Sequence, residues 1–169
     1  MAFIIQWVEA GSGAEELTPI ETPVGKLVIV SRQDVVIQVD WLPAQQDGLN
    51  LPAPANKLFQ RLLNDYFHNP HKDIPVKFLS QGSVFSHKVW AEMLNIPCGK
   101  TLTYTDIAKT LTSSPRAVGN ACRANPYPLF IPCHRVVSVT GIGGYCGQTE
   151  GDFMNIKRKL LAFEAANNP

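Results

Sequence analysis

Two short helix-forming segments meet at Thr112-Ser113-Ser114-Pro115, and this junction restricts the fold more than any other stretch of the chain. Thr103 is placed to cap a helix from about Tyr104 to Leu111, roughly two turns long, that would turn Ile107, Ala108 and Leu111 inward. Thr112 and Ser113 then reverse the chain. Ser114 can cap a second helix, and Pro115 sits at its first position, where a missing N–H does no harm. Such a pair is the helix-turn-helix arrangement that many nucleic-acid binders use to lay their second helix in a groove. Gly119 in a helix interior costs roughly 1 kcal/mol against alanine, and with Ala117 and Ala121 it leaves a bare surface framed by Arg116 and Arg123. The same small residues would also let two protein helices pack tightly, and the segment alone leaves both readings open.

The first half has a different pattern. Phe3 to Val8, Leu27 to Val30 and Val35 to Val39 are rich in β-branched residues and read as strands, with Ser31 to Asp34 turning the second into the third. After a Pro-rich connection at Leu51 to Ala55, Leu58, Leu62, Leu63, Tyr66 and Phe67 recur at helical spacing and stop near Asn69 and Pro70. His71 to Gly82 shows no helical period and is expected to link two lobes. From Ser83, a good N-cap, Phe85, Val89, Trp90, Met93 and Leu94 define another helix, which ends before Pro97, Cys98 and Gly99.

At 169 residues, 45% hydrophobic, the chain can build a real core. It has no apolar run of about 18 residues, and Met1 to Ala10 lacks a secretory pattern, so an intracellular protein with no membrane partner is expected. Cys98, Cys122, Cys133 and Cys146 form no CxxC pair and read as free thiols. His68 and His71 have no sequence-near cysteine to complete a zinc site, so no metal is expected. The net charge of +1 conceals an asymmetry: residues 1–82 carry 6 Lys/Arg against 9 Asp/Glu, and residues 83–169 carry 9 against 5. A basic C-terminal half would attract a polyanion.

Ile131-Pro132-Cys133-His134-Arg135-Val136-Val137 sets a thiol beside an imidazole and a guanidinium. Only the thiolate is a strong nucleophile, so a base and cationic neighbours would make Cys133 reactive. On a regular strand, successive side chains point to opposite faces, which would separate His134 from Cys133. Either the chain bends here or a water bridges the two.

Together with Asn125-Pro126-x-Pro128 ahead of it, this segment resembles the active-site signature of the O6-alkylguanine-DNA alkyltransferases, the methylated-DNA–protein-cysteine methyltransferases. The resemblance takes in Pro97-Cys98-Gly99, Tyr104, Arg116-Ala117-Val118-Gly119, Gly144-Tyr145 and Leu160-Leu161-x-x-Glu164. It covers residues 83–165 closely, and the first half only in its order of strands and helix. It implies an α/β protein of two lobes: a scaffold lobe of small β-sheet plus helix over residues 1–82, and a mainly helical lobe with a winged helix-turn-helix over 83–169.

The resemblance also implies direct reversal of DNA damage. An alkyl group would pass from guanine O6, or from thymine O4, to Cys133 in one irreversible turnover without a cofactor. His134 would act as base through a water, with Glu164 orienting it, and Tyr104 would donate a proton toward the departing base. Arg116 would fill the space of the flipped nucleotide, with Ala117, Gly119, Asn120 and Arg123 at the DNA and Asn125 bracing the hinge. Pro128, Gly144, Tyr145 and Gly147 would line the base pocket. The partner would be double-stranded DNA carrying alkylated bases, met by a monomer, with cooperative binding left open; the compartment would be the cytoplasm, or the nucleus in a eukaryote.

Three departures from the family pattern stand out. The spacing from Cys133 to Tyr145 is one residue short, residues 148–155 read as an insertion before the last helix, and the turn at Thr112 to Ser114 is short. Cys146 stands where relatives carry a small polar residue and receives no catalytic role; Cys98 and Cys122 are expected to be structural. Two rival readings remain: a module that recognises alkylated bases without transfer, which Cys133 argues against, and a cysteine hydrolase, for which no oxyanion hole is identifiable.

Overall fold

β-Branched runs and an amphipathic helix account for the first unit of the chain, and capped short helices for the second. The computed structural model describes residues 2–46, 50, 51, 53 and 57–169. The Pro-rich connection expected at Leu51 to Ala55 lies largely outside the described residues. Contacts divide the chain into two compact units, Met1–Gln81 and Gly82–Pro169.

The first unit is a five-stranded sheet with one helix. Its elements are β1 (Phe3–Val8), β2 (Glu16–Thr22), β3 (Gly25–Arg32), β4 (Val35–Trp41), α1 (Lys57–His68) and β5 (Ile74–Leu79). The strand order is β1-β5-β4-β3-β2, with β5 parallel to both neighbours and the remaining pairs antiparallel. Two expectations are corrected here. Residues 71–82 are not simply a linker, because Ile74–Leu79 forms an inner strand whose Ile74, Val76 and Phe78 are buried. A further strand, β2, holds Glu16–Thr22 at an edge, and the turn after β3 tightens to Gln33 and Asp34. The helix buries Phe59, Leu63 and Tyr66, a stripe at helical spacing.

The second unit contains α2 (Val84–Leu94), β6 (Leu102–Thr103), α3 (Tyr104–Thr110), α4 (Pro115–Arg123), β7 (Val136–Val137) and α5 (Asp152–Ala166). Side chains cap the three early helices: Ser83 accepts from the Ser86 N–H, Thr103 forms a capping box with Asp106, and Ser114 accepts from the Ala117 N–H with Pro115 following it. α3 stops one residue early, and Leu111 is half-buried as its C-cap. Trp90, fully buried in α2, donates through Nε1 to the Ala121 carbonyl at 2.9 Å and holds α4 in place. Strands β6 and β7 pair in parallel, joining the entrance of the helix-turn-helix to the Cys133 segment. α5 begins at Asp152, so residues 152–155 are its first turn and not a loop before it. No helix among the described residues is long and apolar enough to cross a membrane.

Candidate active site

The backbone bends at Pro132. With φ −81° and ψ 64° it makes an inverse γ-turn, the Cys133 N–H donating to the Ile131 carbonyl at 2.8 Å. Residues Cys133–Arg135 follow as one 3-10 turn, closed by the Arg135 N–H on the Pro132 carbonyl at 3.0 Å. The three side chains therefore do not alternate as on a strand. Asn125 holds this bend: its Oδ1 accepts from the Tyr127 N–H at 2.9 Å, and its Nδ2 donates to the Ile131 carbonyl at 3.0 Å and reaches Cys133 Sγ at 3.4 Å.

Cys133, only 6% exposed, lines a cavity of about 390 Å³. Tyr104 of α3 forms one side. Pro115, Arg116, Gly119, Cys122 and Arg123 of α4 form another, and the loop from Gly144 to Thr149 closes the third. In that loop Tyr145 and Gln148 exchange both backbone hydrogen bonds at 2.9 Å across Cys146 and Gly147, whose φ values of 48° and 79° make a two-residue turn of the hairpin type. Gly143, with φ 75°, lets the chain pass against Tyr104, since a Cβ there would stand 3.0 Å from the ring. Pro128 is buried and does not line the cavity, contrary to expectation. Ala117 is half-buried and Asn120 exposed on α4, outside the cavity wall. Among the described residues a Cβ added at Gly119 would meet nothing within 4 Å, so none of their helices packs against that glycine.

The charges are arranged differently from the simple picture of a cysteine between two activators. Arg135 turns away from the sulfur: its Nε and Nη2 grip the two Glu164 oxygens at 2.8 Å each, and Nη1 donates to the Ile96 carbonyl at 2.7 Å. Glu164, itself buried, also contacts His134 Nε2 at 2.8 Å. Although burial opposes its charge, His134 and the Arg135 fork hold its carboxyl well below the usual carboxylate range. A carboxylate only accepts, so Nε2 is the imidazole nitrogen that carries the proton. Burial lowers the His134 pKa and keeps the ring neutral, against the pull of Glu164. Its buried Nδ1 then presents a lone pair with no hydrogen-bond partner among the described residues.

Burial also pushes the Cys133 thiol above its ordinary value, partly offset by Asn125 and by Lys157. The expectation of a sulfur ionised by its sequence neighbours is thus corrected: in the free protein the thiol is held protonated, and Arg135 does not activate it. Burial raises Tyr104 to about 12, with the cavity thiols adding to the effect, so the phenol keeps its proton. Cys98 is buried and raised to about 11, chiefly by desolvation. Among the described residues no group of three or more His, Cys, Asp or Glu could hold a metal ion.

Two cysteines expected to be structural or without a catalytic role stand in the site, and one lysine escaped the sequence reading. Cys122 and Cys146 line the cavity beside Cys133. Lys157 is fully buried on α5 and donates from Nζ to the Val136 and Gly144 carbonyls at 2.7 and 2.8 Å. A signal for the lysine existed: residues 157, 160 and 164 share one helical face with the apolar stripe.

Residues 84–166 match the family model of the 6-O-methylguanine DNA methyltransferase, DNA binding domain. The chain is 35% identical over 148 residues to a methylated-DNA–protein-cysteine methyltransferase of Metallosphaera sedula, covering 86% of this chain and 90% of that one. It is 40% identical over 115 residues to the protein of the same name from Archaeoglobus fulgidus, covering 66% and 77%. Among solved structures it is similar to Mycobacterium tuberculosis O6-methylguanine methyltransferase, with a TM-score of 0.73 at 29% identity over 92% of this chain and 96% of that one. A structure of Mycobacterium tuberculosis OGT in complex with DNA gives a TM-score of 0.70 at 30% identity over 90% and 94%.

Proposed function

The chain belongs to the O6-methylguanine-DNA methyltransferase family, and we propose that it repairs double-stranded DNA by moving the alkyl group of O6-alkylguanine, or of O4-alkylthymine, onto Cys133. One observation carries the reading: the thiol and the second helix of a helix-turn-helix line the same cavity. A base turned out of a duplex bound to α4 has only to enter that cavity to meet the sulfur.

Helix α4 lies in the minor groove, where Ala117, Gly119, Asn120 and Arg123 face a surface that carries little sequence information. Turning out a nucleotide costs a few kcal/mol. Arg116, in the first turn of α4 and on the cavity wall, takes the vacated place in the stack and offsets part of that cost. The thiol proton passes through a water to His134 Nδ1, the nitrogen that Glu164 leaves free. The sulfur attacks the alkyl carbon, the S–C bond forms as the C–O bond breaks, and Tyr104 supplies a proton to the departing base. The product is a neutral thioether with no route back to a thiol, so one chain is spent on each lesion and no second copy is needed.

Incubation with duplex DNA carrying labelled O6-methylguanine tests this. The expected result is one methyl per chain, located on Cys133 by intact mass and peptide mapping. Several methyl groups released per chain, or binding with no gain in mass, would overturn it.

Gly119→Ala separates groove contact from packing. Because the added methyl meets open space and alanine is the better helix former, the free protein gains up to about 1 kcal/mol of stability. The same methyl stands between α4 and the groove, so affinity for duplex DNA falls. A Tm rise without any loss of DNA affinity removes Gly119 from the interface.

A further inference from the structure

The course of repair described above uses one of three thiols on the cavity wall. Cys122 of α4 and Cys146 of the loop stand with Cys133 around the same space of about 390 Å³, and all three are thiols. The other two differ. Cys122 turns to the Met93 sulfur at 3.9 Å, and burial pushes it up to about 12, so it is a poor nucleophile. Cys146 is half-buried and holds the first position, with φ 48°, of the two-residue turn between Tyr145 and Gln148. Turns of this kind favour Asn, Asp or Gly there, so local backbone chemistry does not account for a cysteine. The turn lies against α4, since a Cβ at Gly147 would stand 3.8 Å from the Arg123 side chain. Its loop is also tied to the nucleophile's segment, because one ammonium, that of Lys157, bonds the carbonyls of Gly144 and of Val136 just after the Cys133 turn. Cys146 thus lines the space that receives an alkyl group moved onto Cys133.

We propose that Cys146 is a second nucleophile for bifunctional lesions: where the group moved to Cys133 carries a further leaving group, as a β-chloroethyl chain does, the Cys146 thiol displaces it and closes a two-carbon bridge between the sulfurs. The inference rests on the reading of Cys133 as the alkyl acceptor. Transfer from guanine O6 leaves Cys133 as a β-chloroethyl thioether, whose sulfur expels chloride and closes a three-membered episulfonium ring. Attack by the Cys146 sulfur on one ring carbon forms a new S–C bond. The bond from that carbon to the Cys133 sulfur breaks and returns its electron pair to that sulfur, and the thiol proton leaves to water. Chloride and a proton are the by-products, and no oxidant or reductant is consumed. Such a bridge reaches roughly twice as far as a disulfide bond, so it suits sulfurs that face each other across a cavity. A thiol held in the cavity has the advantage of an intramolecular reaction over water and over the bases of the bound duplex. The electrophile is thereby quenched inside the protein instead of joining it to DNA.

The full chain is incubated with duplex DNA carrying O6-(β-chloroethyl)guanine, prepared immediately before use, and the products are read by intact mass and peptide mapping. The expected product is a chain with a two-carbon bridge from Cys133 to Cys146, free of chlorine and separate from DNA. A hydroxyethyl thioether on Cys133, protein joined to DNA, or a bridge to Cys122 as the main product overturns the proposal. In Cys146→Ser the bridge disappears, and the hydroxyethyl and DNA-joined products together rise about tenfold or more. An unchanged product distribution in that variant overturns the proposal as well. Duplex carrying O6-methylguanine separates the two readings. A chain that takes the methyl on Cys133 and forms no bridge refutes the second nucleophile alone, whereas one that takes neither group refutes the repair reading and the bridge with it.

Discussion

Cys133→Ser yields a chain that still binds methylated duplex DNA and takes no methyl group from it. Serine nearly matches cysteine in size, so the turn, the Asn125 bonds and the cavity wall should persist. What disappears is the acid. Burial already holds the Cys133 thiol above its ordinary value, and a hydroxyl in the same place is far beyond the reach of a neutral imidazole. A loss on the order of 10⁴-fold or more follows, the scale seen when a nucleophile is removed from a working unit. Labelled-methyl transfer and a gel-shift titration measure the two properties side by side. Transfer at a near wild-type rate would sink Cys133 as acceptor, and peptide mapping would then turn to Cys122 and Cys146, the other thiols on the cavity wall.

The parts of this site that could be read from the sequence are those fixed by local backbone chemistry. Thr103, Ser114 and Pro115 announce their caps whatever the rest of the chain does. Pro132 announces an irregular approach to Cys133, which takes the form of a γ-turn. Strand β5 was missed although Ile74, Val76 and Phe78 alternate, because a proline at the second position argues against an inner strand. The fold resolves the conflict by register: β4 pairs with β5 only at Lys77 and Phe78, so Pro75 lies where that neighbour makes no pairing. Arg135 was misread for a different reason. Adjacency to Cys133 in sequence says nothing of side-chain direction, and its partner Glu164 lies 29 residues away on α5. Lys157 depends on the same docking of α5: its place on the helical face of Leu160 and Glu164 signals burial, but nothing local names the carbonyl that it meets.

That docking makes Glu164 the residue whose loss should be felt most widely. Its buried carboxylate accepts from both nitrogens of the Arg135 fork and from His134. Glu164→Gln leaves the guanidinium buried without its counter-charge, a change expected to cost about 3–5 kcal/mol. The amide also sets an N–H where only donors point at it. The simplest relief is for His134 to accept at Nε2, which moves its proton to Nδ1 and removes the lone pair that serves as base. Methyl transfer should therefore fall by about 10²–10⁴-fold in whatever protein remains folded. The pH dependence carries an independent signature. Because the carboxyl is depressed in the folded chain, its stabilisation is complete above the unfolded value of about 4.3 and drains away as pH falls toward the folded one. Denaturant unfolding at pH 7 and pH 3 should show wild type losing much of its advantage over Glu164→Gln in acid, with the variant's curve the flatter of the two. Equal stability at pH 7, or parallel decline toward pH 3, would mean that the carboxylate does not hold His134 and Arg135 as a charged unit.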